Sequence, residues 1–303
     1  MTIHGYPARR LAPVGLALLA LLAMLGGCAR PGPGSGPGGD RPAPGPYKAD
    51  DVVLRVEYPN GFLPVETQLT RLPVVSVYGD GRVIAWGPVV SIHPRPALSN
   101  VLVQRIGTAD VVHLATRALS AGVGGTDDLG RPPVADASSL RFTVLTDAGP
   151  RITEVLALGF YGTGSGLTPA QQAARRALEE LIDELTDLPA TLGPDAVSAA
   201  QAYQARAVVV FSQPWTDPGS AELPDQPEKT WPGRALPGAP ASRAGLSCVT
   251  ITGTEAAAVL AAATSANAFT PWVSGGRRWQ VNFRPLLPDE TSCDDLTGRR
   301  GRS

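Results

Sequence analysis

Two runs rich in β-branched and aromatic residues, 74–78 and 82–86, flank Gly79-Asp80-Gly81. Glycine on either side of an aspartate supplies the positive φ that a tight reversal needs, so the two runs double back as a hairpin. Antiparallel pairing is thereby built into the chain. A second pair of runs, 140–146 and 152–158, surrounds Asp147-Ala148-Gly149-Pro150 and reads the same way. Alternation predicts a strand over 52–58, and continuous or near-continuous β-rich runs predict further strands at 207–211, 246–251 and 279–283.

Three helices interrupt these strands. The first starts at Thr108 as N-cap. Its apolar stripe comprises Val111, Val112, Leu114, Ala115, Ala118 and Leu119, and Gly122 stops it. Asp110, His113 and Arg117 fall on the wet face. The second opens with Thr168-Pro169-Ala170-Gln171, a capping residue, a proline at the first helical position and a glutamine able to close a capping box. Ala174, Ala177, Leu178, Leu181 and Leu185 line one face, which ends before Pro189. The third, 256–265, follows Thr252-Gly253-Thr254-Glu255, another capping-box pattern. Segments 88–99 and 213–244 are proline-rich and read as irregular connections. The expected class is therefore α+β, a mostly antiparallel sheet with three helices. A break near 189–205 divides the body into an α+β domain over 47–189 and a C-terminal α+β subdomain over 190–293, and the tail 294–303 is expected to fray.

The amino terminus has its own pattern. Arg9 and Arg10 precede an apolar run over 11–25, too short for the roughly 20 residues that cross a bilayer core. A charged start, a short apolar core and small residues at the end make an export signal over 1–27. Its last residues, Leu25-Gly26-Gly27-Cys28, resemble the bacterial lipoprotein lipobox. That resemblance implies diacylation of Cys28 and a lipid anchor on the extracytoplasmic face of the cell membrane. An uncleaved apolar anchor and a plain secretory peptide are the alternatives. Export by the general secretory route is favoured over the twin-arginine route, because no Phe-Leu-Lys-like continuation follows Arg9-Arg10. Residues 28–46, rich in Gly and Pro, form the expected tether.

If Cys28 carries lipid, Cys248 and Cys293 are the two remaining thiols in an oxidising compartment, and a disulfide between them follows. No Cys-x-x-Cys spacing suggests redox chemistry.

Function is far less legible. A net charge of −1 provides no basic field, which disfavours nucleic acid. The run Gly159 to Gly166 sits where phosphate loops sit, yet lacks the Gly-Lys-Ser/Thr and the dinucleotide spacing, so it reads as a connection. Beyond the signal segment only His93 and His113 are available for histidine chemistry, and neither a Gly-x-Ser-x-Gly elbow nor a zinc pattern accompanies them. The acidic pairs Asp50-Asp51, Asp127-Asp128, Asp289-Glu290 and Asp294-Asp295 are adjacent residues, and neighbours on extended chain point to opposite sides. No catalytic, metal or cofactor residues are assigned. Five tryptophans, Trp86, Trp215, Trp231, Trp272 and Trp279, offer faces for glycans or protein partners but also suit a core.

Three segments carry a resemblance: Tyr78-Gly79-Asp80-Gly81-Arg82, Val134-Ala135-Asp136-Ala137, and Arg284-Pro285-Leu286-Leu287-Pro288-Asp289-Glu290, with Cys248 and Cys293 around them. They resemble uncharacterised secreted and lipid-anchored proteins of actinomycete-type bacteria, over most of 47–293. The resemblance implies a compartment and transfers no site residues. The expected function is a lipid-anchored, non-enzymatic binding or envelope-associated module, its partners the membrane and an envelope protein or glycan. The alternative is a cell-envelope glycan hydrolase using paired carboxylates. The two-lobed α/β pattern of a transporter's substrate-binding lipoprotein is not seen.

Overall fold

The computed structural model describes residues 46–59, 61, 63–161, 164–219, 226–241 and 245–297. The expected signal at 1–27, Cys28, the tether up to residue 45, Gly162 of the glycine-rich run and the end of the tail lie outside the described residues.

In chain order the elements are β1 (Val52–Glu57), α1 (Val65–Thr70), β2 (Val75–Tyr78), β3 (Arg82–Trp86), β4 (Val101–Arg105), α2 (Thr108–Ser120), β5 (Ser139–Thr146), β6 (Gly149–Leu156), α3 (Pro169–Thr186), α4 (Leu188–Leu192), β7 (Gln201–Ala202), β8 (Ala207–Pro214), β9 (Lys229–Thr230), β10 (Ala239–Pro240), β11 (Ser247–Thr252), α5 (Gly253–Ala263), β12 (Trp272–Ser274), β13 (Arg277–Pro285) and α6 (Cys293–Thr297). Two sheets result. The first has the order β6-β5-β1-β2-β3-β4-β7, the second β10-β11-β8-β13-β12-β9. Among the described residues only β12 and β9 run parallel. The class is α+β and mostly antiparallel, as expected. Of the helices described, three exceed six residues and correspond to the three read from sequence.

Each sheet is covered by helix on one face. In the first, Leu54, Val56, Val75, Val77, Phe142 and Val144 form the face against Leu114 and Ala118 of α2 and Leu178, Leu181 and Leu185 of α3. In the second, Val208, Val210, Ile251 and Phe283 meet Ala256, Val259 and Ala263 of α5. Each fully buried aliphatic side chain contributes at most about 2 kcal/mol over its exposed state, so these faces are the main stabilising layers.

The opposite faces are joined by short segments. Leu286 packs with Val209 and Phe211 of the second sheet and with Leu69 of α1. Leu287, the next residue, packs with Tyr78, Ile84 and Val101 on the first. Extended chain turns neighbouring side chains to opposite sides, so one dipeptide spans both layers.

Several expectations are refined. The strands β4 and β12 and the two-residue strands β7, β9 and β10 were not anticipated, although Gly275-Gly276, both at positive φ between β12 and β13, is a hairpin signal in retrospect. Thr108 is the first helical residue and Gly107 the cap, because Asp110 Oδ2 accepts from the Gly107 N–H at 3.2 Å. Only four stripe residues of α2 are buried, while Val112 and Leu119 face solvent. The capping box of α3 forms: Gln171 N donates to Thr168 Oγ1 at 3.2 Å and Thr168 N to Gln171 Oε1 at 2.8 Å. The one expected at 252–255 does not, because Glu255 turns to the backbone and guanidinium of Arg234. The helix Cys293–Thr297 extends into the 294–303 tail, where fraying was expected.

Candidate functional site

The expected sulfur pair comes together: Cys248 on β11 and Cys293 at the start of α6 are at disulfide-bonding distance, their Cα atoms 6.2 Å apart. Immediately before Cys293 lie Asp289 and Glu290, and the structure spends both carboxylates inside the seam between the sheets. Asp289 accepts from Arg55 Nη1 and Nη2 at 2.9 and 2.8 Å and from the Tyr78 hydroxyl at 2.7 Å. Arg55 also donates to Ser76 Oγ at 2.9 Å. Burial pushes the Asp289 carboxyl up, but the Arg55 guanidinium and the Tyr78 hydroxyl outweigh it and hold it below the usual range. Burial pushes Glu290 above its usual range, and the Arg284 guanidinium at 2.6 Å only partly offsets this. Burial likewise lowers Arg284. These groups have fixed partners, and the arrangement is a clasp between sheets.

Several of the other expected acids are occupied as well. Asp50 and Asp80 pair with Arg82, Asp128 accepts from Gly130 N and Gln171, and Asp295 accepts from Thr291 and Ser292. His113 lies in a shallow polar hollow with Arg117, Asp183, Glu184 and Asp187; Glu184 there pairs with Arg117 at 2.9 Å, and Asp187 caps α4 through Ala190 N at 3.2 Å. His93 is exposed and meets the Phe269 ring edge-on at 5.7 Å. Trp231, Trp272 and Trp279 are buried in the second core, Trp231 and Trp272 in edge contact at 5.5 Å. Trp215 donates from Nε1 to the Phe269 carbonyl at 3.0 Å. The core role wins for Trp231, Trp272 and Trp279, whereas Trp215 is half-buried outside that cluster, with the Arg278 guanidinium 5.6 Å from its ring. Trp86 differs and stays 45% exposed.

The arrangement best suited to holding a ligand is a groove of about 580 Å³ between the two sheet systems. One wall is the α5 surface (Ala257, Leu260, Ala261), the other comes from Leu98, Val101 and Tyr203 near β4 and β7. Position 98 is fixed by its neighbours: Ala97 N donates to Ala266 O at 3.0 Å, and Ala268 N to Arg95 O at 2.9 Å. Tyr203 donates its hydroxyl to Leu286 O at 2.9 Å, and burial pushes it up to about 12. Among the described residues it is the only ionisable side chain in the lining, so the groove offers apolar surface with a few neutral polar groups at neutral pH. A smaller cavity of about 150 Å³ shares Pro96, Leu98, Ser99 and Asn100 with it and extends the apolar lining to Trp86, Val89 and Val90.

Sequence reasoning missed this groove. Leu260 and Ala261 read as ordinary positions in an alanine-rich helix, and only the approach of a distant sheet edge makes them walls. It also missed Arg175, buried in α3 and donating to the Leu129, Leu156 and Ala157 carbonyls; its helical position two turns inside an apolar face was the available signal. No family model, curated protein or solved structure matches the chain.

Proposed function

We propose that this protein is a lipid-anchored extracytoplasmic module that binds an apolar envelope component in the groove beside α5. The observation that carries the binding reading is the lining itself: apolar walls from two sheet systems, within the size range of small-molecule sites, with Tyr203 held neutral. The anchoring reading rests on the export pattern of 1–27 and on Cys28, and the juxtaposition of Cys248 and Cys293 suits an oxidising compartment. The rival reading, a glycan hydrolase using paired carboxylates, draws nothing from the seam or from the capped acids, whose oxygens already have partners.

Intact-mass measurement on protein from the membrane fraction tests the first part, with acyl mass on a chain beginning at Cys28 as the expected result. A photo-crosslinking side chain at Ala261 tests the second. A discrete crosslinked envelope component, lost on Ala257→Trp in a protein of unchanged stability, is expected. A chain that begins at Met1 overturns the anchor, and a position 261 that captures nothing in cells overturns the groove.

A further inference from the structure

Among the described residues, the largest concentration of exposed aliphatic side chains lies on one loop. Residues 88–93 are all exposed, with Val89 at 79%, Val90 at 59% and Ile92 at 58%, and Trp86 stands at their base. Other exposed large apolar side chains, such as Ile152 and Leu119, are scattered singly over the surface, which is ordinary. The base of the loop is fixed by Gly87 N donating to Asn100 O at 3.0 Å and by Asn100 Nδ2 donating to Pro88 O at 3.0 Å. The body thus presents four apolar side chains on a held stem.

We propose that this loop, Trp86 to Ile92, contacts the bilayer that carries the chain's own anchor, inserting its aliphatic tip into the interfacial region. The inference rests on the lipid-anchor reading above, and three observations favour a lipid surface as occupant. First, no acidic residue occurs between Asp80 and Asp110, while Arg95 is exposed beside the tip; a surface of anionic headgroups complements that charge. Second, Trp86 at the stem is the side chain type that settles at membrane–water boundaries, above aliphatic groups that go deeper. The peptide groups of 88–91 lack sheet partners, which restricts insertion to the depth where water still reaches them.

Third, the tether is long enough. The described chain begins at residue 46, and the Lys48 carbonyl packs so closely on Gly79 that a Cβ there would lie 2.1 Å away. The tether therefore joins the body at the β2–β3 turn. The loop begins at the far end of β3, five residues and about 17 Å along the strand. The eighteen residues that follow Cys28 span at most roughly 60 Å, so an anchor at one end of β3 leaves the other end free to reach the same surface. Attachment through Cys28 also keeps the loop at high local lipid concentration, so weak insertion suffices.

The test uses full-length acylated protein in vesicles of phosphatidylglycerol and phosphatidylcholine. Ser91→Cys supplies the labelling thiol for an environment-sensitive fluorophore, and Asp147→Cys on the exposed β5–β6 turn supplies a reference. The expected result is quenching of the probe at 91 by lipid-phase nitroxide with shielding from iodide, while the probe at 147 stays open to iodide. Val89→Ser, Val90→Ser and Ile92→Ser together abolish the shielding at 91 in protein that remains vesicle-bound and keeps its unfolding midpoint. Equal iodide quenching at 91 and 147 overturns the proposal. So does shielding that appears only when envelope proteins are added, which makes the loop a protein-docking element. An intact mass without acyl groups is instead the failure of the anchor reading. The labelled protein is then added to preformed vesicles, where lipid-phase quenching at 91 sustains the loop assignment and its absence removes it.

Discussion

Arg55 and Asp289, 234 positions apart, meet in a two-pronged pair at 2.8 and 2.9 Å in the seam between the sheets. Their side chains are 14% and 23% exposed, so water screens the pair weakly. Removing one partner strands the other charge. Asp289→Ala is expected to cost about 3 kcal/mol in chemical unfolding. Arg55→Ala with Asp289→Ala should cost less than the sum of the single changes, and additive losses would show that the clasp is not coupled.

Acid stability should divide between the two adjacent carboxylates. Asp289 is held below its ordinary range, so its stabilisation is present at neutral pH and is lost as pH falls through that lowered value. Glu290 is raised, so protonating it on acidification favours the folded state. Asp289→Asn should therefore flatten the acid limb of a stability–pH profile, and Glu290→Gln should steepen it. Urea midpoints between neutral pH and pH about 3 separate the two effects.

The Cys248–Cys293 link closes a separation of 45 residues. Chain-entropy arguments assign such a loop about 4 kcal/mol, whichever mechanism dominates. Cys248→Ser with Cys293→Ser should lower stability by roughly that amount, and reduction of the native protein should reproduce it. Because Asp289 and Glu290 sit just before Cys293, the double variant should also weaken the coupling between Arg55 and Asp289.

Two turn glycines have positive φ but unequal surroundings. A Cβ on Gly149 meets nothing, whereas one on Gly81 would lie 2.2 Å from the Ile106 carbonyl oxygen, and Ile106 N donates to Gly81 O at 2.9 Å. Gly149→Ala should cost only the backbone penalty of roughly 1–2 kcal/mol. Gly81→Ala adds a backbone clash and should be clearly worse by thermal unfolding. Equal costs would contradict the close approach of β3 and the 106 corner.

Hairpins, capped helices and the sulfur pair were open to local reading, because turn chemistry, side-chain period and cysteine count are properties of short stretches. Gly79-Asp80-Gly81 demanded a reversal wherever the sheet lay, and Thr168 with Gln171 closed a cap without outside help. At 252–255 the same pattern failed, since Arg234, 21 residues earlier, offered Glu255 a stronger, charged partner. The strand Val101–Arg105, paired with β3 on one side and the two-residue β7 on the other, has its apolar side defined by Leu72 and Leu287, and no local period announces it. Groove, clasp and exposed loop arise from the same cause. Which surface of α5 becomes a wall, and which carboxylate meets which guanidinium, depends on segments brought together across hundreds of residues. Local chemistry set the elements, and the packing of two sheets about Leu286 and Leu287 decided where their side chains could act.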